Sequence, residues 1–211
     1  MHHIGIGTSL DRIAIWIVRI AYLNFLWFVF TIIGLIGVGV FPATIAALGI
    51  TRKWLQGKQK IKMWQTFKDI YKQEFVLSNA LGWILVFIGG VLYVNYRIIT
   101  MSQEKFSFAI LSAFCLVVFL YFLVVIWSFP LAVHYHAGIF KQLKNALVIG
   151  LSKIHISILM MVSLFSIVYL SLEFPTLILF CLFSLTCLIW IWFSLRVFQQ
   201  IDNKSSIEAK G

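Results

Sequence analysis

Residues 40–54 read VFPATIAALGITRKW. A long apolar run meets Pro42, a small-residue pattern follows, and the chain then turns abruptly basic. This is either a loop between soluble elements or the point where a chain leaves a lipid bilayer. Proline's fixed φ suits the first turn of a new helix, so Pro42 marks a break followed by helix. Ala43, Ala46, Ala47 and Ile50 then share one face, and small residues at that spacing let helix backbones approach closely inside a membrane. Arg52, Lys53 and Trp54 are the residue types that settle among lipid headgroups. The stretch reads as an exit corner: a span, a break, and a short helix descending to the cytoplasmic surface.

Composition supports the bilayer. Of 211 residues, 62% are hydrophobic and 11% charged, against about 45–50% and about 25% in soluble domains. A soluble fold of this size could not hide so much apolar surface. The net charge of +10 sits between apolar runs, which points to a membrane surface; no nucleic-acid-binding module is present. Cys115, Cys181 and Cys187 lie within apolar runs without a CxxC spacing, so they read as small apolar filler rather than metal or redox groups. The apolar run after MHHIGIGTSLDR is too long for a signal-peptide core and is expected to remain as a span.

A span needs about 20 mostly apolar residues. Five runs qualify: 20–41, 75–96, 108–133, 156–172 and 176–195. Only Glu173, Phe174 and Pro175 separate the last two, which predicts a tight hairpin with Pro175 in the first turn of the final helix. Cations set the orientation. Residues 51–74 carry seven: Arg52, Lys53, Lys58, Lys60, Lys62, Lys68 and Lys72. Residues 134–155 carry Lys141, Lys144 and Lys153, and the tail carries Arg196, Lys204 and Lys210. Arg12, Arg19, Arg97 and Lys105 fall on the opposite side. The richer side is predicted to be cytoplasmic, and five spans then leave the N-terminus outside and the C-terminus inside. Residues 9–21 form an amphipathic lead-in helix that Ser9 can cap, with Leu10, Ile13, Ala14 and Ile17 as its stripe. Its two arginines oppose an outside N-terminus. If the first run is re-entrant, the N-terminus lies inside and four spans remain.

Within IKMWQTFKDIYKQEF (61–75), Lys62, Gln65, Thr66, Asp69, Lys72 and Gln73 trace one helical face, with Met63, Trp64, Phe67, Ile70 and Tyr71 on the other. Such a helix either lies in the interface against anionic headgroups or packs its apolar face on the ends of the spans. Phe41-Pro42 and Phe129-Pro130 each close an apolar run before a basic connection. The pattern suggests a faint parallel repeat, or simply a shared way of leaving the bilayer.

The stretch AYLNFLWFVFTIIGLIGVGVFPATIAALGITRKWLQG (21–57) resembles the opening of the YesL-like family of bacterial membrane proteins, a domain-of-unknown-function family. The resemblance rests on Asn24, Trp27, Pro42, Ala43, Thr44, Arg52, Lys53 and Trp54, and continues through FKDIYKQEF and KNALVIGLSK. It implies a small multi-span protein, and an association with carbohydrate uptake from the neighbourhood of family genes. It supplies no catalytic residues.

Independent signs of chemistry are few. His134 and His136 point about 200° apart on a helix, so they do not share a metal easily. Every Asp and Glu falls at or outside a span end, which argues against ion-coupled transport. No Walker loop, GxSxG or HExxH occurs. The sequence therefore predicts an all-α integral membrane helical bundle in the plasma membrane, residues 1–211 as one domain. It has five transmembrane helices and a cytoplasmic amphipathic region at 43–74. No cofactor, metal, nucleic-acid partner or enzymatic activity is expected. Its expected partners are the bilayer and anionic headgroups, and the family resemblance adds a carbohydrate transporter, to which it would be a non-enzymatic accessory or scaffold; its oligomeric state is not set by the sequence. Asn24, Trp27, Pro42, Ala43, Thr44, Ala46 and Ala47 are the expected packing or partner contacts. Arg52, Lys53, Trp54, Lys62, Lys68 and Lys72 are the expected lipid or partner surface. The alternative is a small-solute transporter or channel, which needs a polar mid-membrane cavity lined by residues such as Asn24, Asn79 and Tyr93. An intramembrane enzyme would need ionisable groups clustered in such a cavity.

Overall fold

The computed structural model describes residues 6–58, 60–101, 107–135, 137–174 and 182–208. Among them the secondary structure is helical throughout: α1 (Ile6–Ile33), α2 (Val40–Leu55), α3 (Met63–Gln73), α4 (Phe75–Met101), α5 (Phe108–His134), α6 (Ile139–Ser152), α7 (Ile154–Glu173) and α8 (Leu182–Glu208). Five are long and apolar enough to cross a membrane: residues Ile13–Ile33 of α1, α4, α5, α7, and Leu182–Asn203 of α8. The chain is an all-α, multi-pass membrane bundle. The expected 173–175 hairpin and Cys181 fall largely outside the described residues.

The first apolar run ends earlier than expected. Helix α1 stops at Ile33, and a turn through Gly34 and Gly39 reverses the chain before Pro42 is reached. Side chains at Gly34 and Gly39 would collide with the facing backbone of the turn and with the Tyr71 hydroxyl. Leu35 and Ile36 take left-handed backbone angles (φ 57 and 58) to complete the reversal, a conformation L-residues adopt at a cost. Pro42 then sits in the first turn of α2, where its missing N–H is harmless. Ser9 lies inside α1, which is already helical at Ile6, so it is not the cap.

Helices α1 and α2 form an antiparallel hairpin. Trp27 Nε1 donates to Thr44 Oγ1 (3.2 Å), and Trp16 meets Trp54 edge-to-face with ring centroids 5.7 Å apart. Helix α2 is not an interfacial helix. Pro42, Ala43, Ile45 to Thr51 and Trp54 are buried, and α1, α3, α4, α5 and α8 all pack on it. Its small residues allow this, since association within a bilayer rests on close packing rather than on a hydrophobic drive. The expected amphipathic region 43–74 thus divides into a buried α2 and an amphipathic α3.

Helix α3 presents Phe67 and Tyr71 to Phe30 of α1, with centroids 4.9 and 5.1 Å away, and Ile70 to Gly49 of α2. Its apolar face is packed on the bundle, while Lys62, Lys68 and Lys72 are exposed. Helices α5 and α8 run parallel, with Ile126 beside Trp190 and His134 beside Asp202. Pro130 lies within α5 and cannot donate to the carbonyl four residues back. Trp190 Nε1 supplies that bond to Ile126 O at 2.7 Å. The two Phe-Pro pairs therefore occupy different settings, the start of one helix and the last turns of another, and do not mark equivalent repeats. Their phenylalanines instead stack on each other, Phe41 on Phe129, at 6.3 Å.

Candidate functional site at the basic end of the bundle

The C-terminal ends of α2, α5 and α8 meet at one end of the molecule. Helix α2 ends in a Schellman motif. Gly57 N donates to Trp54 O (3.0 Å) and Lys58 N to Lys53 O (2.9 Å), around a Gly57 φ of +84. Glycine takes that left-handed angle without the penalty a Cβ brings. The turn fixes Arg52, Lys53 and Lys58 around the end of the helix.

Arg52 Nη1 donates to Val133 O of α5 at 2.6 Å, and its Nε is buried without a partner. Burial pulls the guanidinium below its ordinary pKa, with Asp202 and Tyr135 pulling the other way. Asp202 accepts a bond from the Tyr135 hydroxyl (2.7 Å) and lies 3.3 Å from His134 Nε2. The His134 ring stacks on Phe198 at 4.6 Å. Burial first, and then the bond to Asp202, push the Tyr135 phenol up to about 12. Lys153 donates to Gln200 (3.2 Å) across the same end.

Besides a cavity of about 510 Å³ beside Tyr135, Lys153 and Asp202, two cavities share Lys58 in their walls. One, of about 260 Å³, is walled by Arg52, Lys53, Lys58, Gln56, Gln73 and Glu74, with Ile45, Gly49, Ile70, Ala132 and Val133 behind them. The second, of about 580 Å³, is walled by Arg19, Gly57, Lys58, Lys60 and Ile61. Arg19 therefore lies with Lys58 and Lys60, not on the opposite side from them.

The expected packing residues are all interior. Asn24, Ala43, Ala46 and Ala47 are almost fully buried, Trp27 and Pro42 are buried, and Thr44 is half-buried. Asn24 Oδ1 accepts from Phe183 N at 3.1 Å, and Trp27 stacks on Phe183 at 3.6 Å. These residues hold α1, α2 and α8 together, so the Ala43–Ala47 face is not open to a partner. Trp54, expected at the headgroups, is buried instead, and Arg52 and Lys53 are half-buried. Only Lys62, Lys68 and Lys72 of that set lie on an open surface.

The residues expected to line a transport cavity do not converge. Asn24 bonds α8, Asn79 Nδ2 donates to Phe75 O within its own helix (2.8 Å), and Tyr93 lies in an apolar groove between α4 and α5. Among the described residues no group of three or more metal-ligating side chains forms. Cys115 is exposed and Cys187 buried, both as free thiols. The cluster of His134, Tyr135 and Asp202 escaped sequence reasoning because Asp202 lies 68 and 67 residues from the other two. Only the parallel packing of α5 and α8 joins them, and no local pattern encodes that. His136 lies outside the described residues, and His155 is exposed.

Comparison with known proteins agrees with the motif residues. Residues 20–96 match the family model described as "Protein of unknown function, DUF624". The chain is 34% identical over 189 residues to "Uncharacterized protein YesV" of Bacillus subtilis (strain 168), covering 88% of this chain and 89% of that protein. It is 33% identical over 186 residues to "Uncharacterized protein YteU" of the same organism, covering 88% and 83%. "Uncharacterized protein YesL", again from that organism, is 28% identical over 204 residues, covering 97% and 96%. No solved structure matches. The matched segment holds α1 from Ile20 on, all of α2 and the basic turn that follows it, and on these similarities the chain belongs to the YesL-like DUF624 family.

Proposed function

We propose that this chain is a non-enzymatic membrane accessory of the plasma membrane, acting beside a carbohydrate-uptake system, with its basic end as the contact surface. The observation that carries the reading is how the charged and hallmark residues are divided. Asn24, Trp27, Thr44 and the alanines of α2 are spent on internal packing, while Lys62, Lys68 and Lys72 stand exposed on α3. An interior closed by its own side chains suits a scaffold better than a conduit. The link to carbohydrate uptake rests on the family resemblance alone. A photocrosslinking residue at position 62 or 68 is expected to capture a permease subunit of such a system, and Lys62→Glu with Lys68→Glu is expected to abolish the adduct. Adducts with lipid only, unchanged by the reversals, would leave α3 as a packed helix and end the accessory reading. Proteoliposomes that move a small solute on addition of the pure chain would favour the transporter instead.

In this reading the basic end faces the cytoplasm, as the cation count asks, and the C-terminal end of α8 lies there. The N-terminal half of α1 belongs on the same side, because Trp16 touches Trp54 and Arg19 shares a cavity with Lys58 and Lys60. Helices α1 and α2 then enter and leave together as a re-entrant hairpin, and four single crossings follow. The test uses single cysteines at positions 11 and 58, with Cys115, Cys181 and Cys187 replaced by serine. Both are expected to resist an impermeant maleimide in intact cells and to react after lysis. Labelling of position 11 alone in intact cells would restore an outside N-terminus.

A further inference from the structure

The two basic cavities are neighbours. Lys58 lines both, with Arg52 and Lys53 on one side and Arg19 and Lys60 on the other. Five cations thus surround the turn at Gly57, and one carboxylate, Glu74, stands in the wall of the first cavity. Arg52 donates to a carbonyl of α5, Val133 O, and feels the charge of Asp202, and its Nε is buried and unpartnered. A guanidinium withdrawn from water in this way is stabilised by an anion that can accept in its plane, and phosphate oxygens fit that fork. Each cavity is several times the roughly 30 Å³ a water molecule occupies in the liquid. The setting is the end of a membrane bundle, where basic pockets between helices meet lipid headgroups.

We propose that these paired cavities form a binding site for a phosphate-bearing lipid headgroup, with preference for a lipid carrying two phosphates. One phosphate sits against Arg52 and Lys53, the second against Arg19 and Lys60, and Lys58 bridges them. The site is distinct from the exposed lysines of α3, which attract an anionic surface without enclosing a headgroup. It rests on the orientation proposed above, with this end at a leaflet surface, but not on any protein partner. A failed crosslinking experiment therefore leaves it standing. A cation near such a headgroup strengthens binding about fivefold, so loss of one is measurable.

The experiment uses the full chain in phosphatidylcholine nanodiscs, read as the thermal unfolding midpoint. Adding diphosphatidylglycerol is expected to raise the midpoint by about 5 °C, phosphatidylglycerol by less, and inorganic phosphate not at all. Lys58→Gln is expected to lose about half of the rise. Its side chain is exposed, and the backbone bond of residue 58 survives the change, so the fold is kept even if Arg52→Gln fails to fold. The double variant Lys62→Gln with Lys68→Gln is expected to keep the rise. No rise in the native chain, or an equal rise in Lys58→Gln, would overturn the site. A full rise with inorganic phosphate alone would overturn the lipid as its ligand.

Discussion

Helices α2 and α5 invert the rule that greasy segments go inside. Helix α5 is the most apolar of the five span-length helices, yet only eight of its 27 residues are buried, all from Leu123 onward. Helix α2 carries glycine, threonine, alanine and two cations, yet ten of its sixteen residues are buried. The reason is the solvent. Lipid tails are as apolar as leucine, so phenylalanines such as Phe108 and Phe122 lose nothing by facing outward. What a bilayer cannot supply is close backbone approach or a hydrogen-bond partner, and α2 supplies both. In this bundle apolar bulk alone does not mark the core: Trp127, Phe67 and Phe198 are fully buried while Phe108 and Phe165 face outward, and it is the small residues that let the helices of α2's neighbourhood close.

The sharpest way to break that comparison is to exchange the properties of the two helices. Ala46 is fully buried in α2, and a larger side chain there has no room. Ala46→Leu is expected to cost about 3 kcal/mol through overpacking, seen as lowered thermal stability in detergent. Leu116 on α5 is 58% exposed, and Leu116→Ala is expected to stay within about 0.5 kcal/mol of the native chain. Equal losses at the two sites would mean that α2 is not the core. Gly82 of α4 gives a second test. A Cβ there would fall on the Phe41 ring, which already stacks on Phe129. Gly82→Ala is expected to cost about 2 kcal/mol in the same assay. Gly90, with open space around it, is the control that is expected to move little.

A smaller effect separates polar packing from small-residue packing. Asn24 is fully buried and accepts from Phe183 N. Asn24→Ala is expected to cost about 1 kcal/mol, the scale of interhelical bonds in bilayers. A solute-binding role would instead leave stability untouched.

How far the sequence could be read follows the same division. Spans were legible because apolar runs of about 20 residues have few other uses, and the amphipathic face of α3 was legible because its polar offsets repeat at helical spacing. The small-residue face at Ala43, Ala46 and Ala47 was legible as a packing surface. What covers it was not, since its partners come from α1, α3, α4, α5 and α8. The fate of Trp54 was misread for a related reason. Tryptophan beside Arg52 and Lys53 usually means an interface, but here Trp16 closes over it from a helix that doubles back. The reversal itself was hidden, because Gly34 and Gly39 sit in an unbroken apolar run that gives no polar sign of a turn. The basic end was visible as charge and invisible as a site, because Arg19 is more than thirty residues from the lysines it joins.

The smallest expected effect tests whether the basic end is built with the same care as the core. Tyr135 donates to Asp202 and is half-buried, and its phenol is pushed from 10.0 up to about 12 by burial and by that carboxylate. A raised pKa means the folded state holds the proton that the unfolded chain releases. The contribution is therefore fully present below about pH 10 and is lost as pH rises through about 12. Solvent around the ring screens much of it, so the loss is a fraction of what a fully buried group would show. Tyr135→Phe removes the ionisable group. The stability difference between the native chain and this variant is expected to be constant from pH 7 to about 10, and to shrink between about 10 and 12. The check is an unfolding series in detergent across that range. A difference that stays level through pH 12 would mean that neither burial nor Asp202 holds the phenol's proton, and that the polar end is looser than the packed α2.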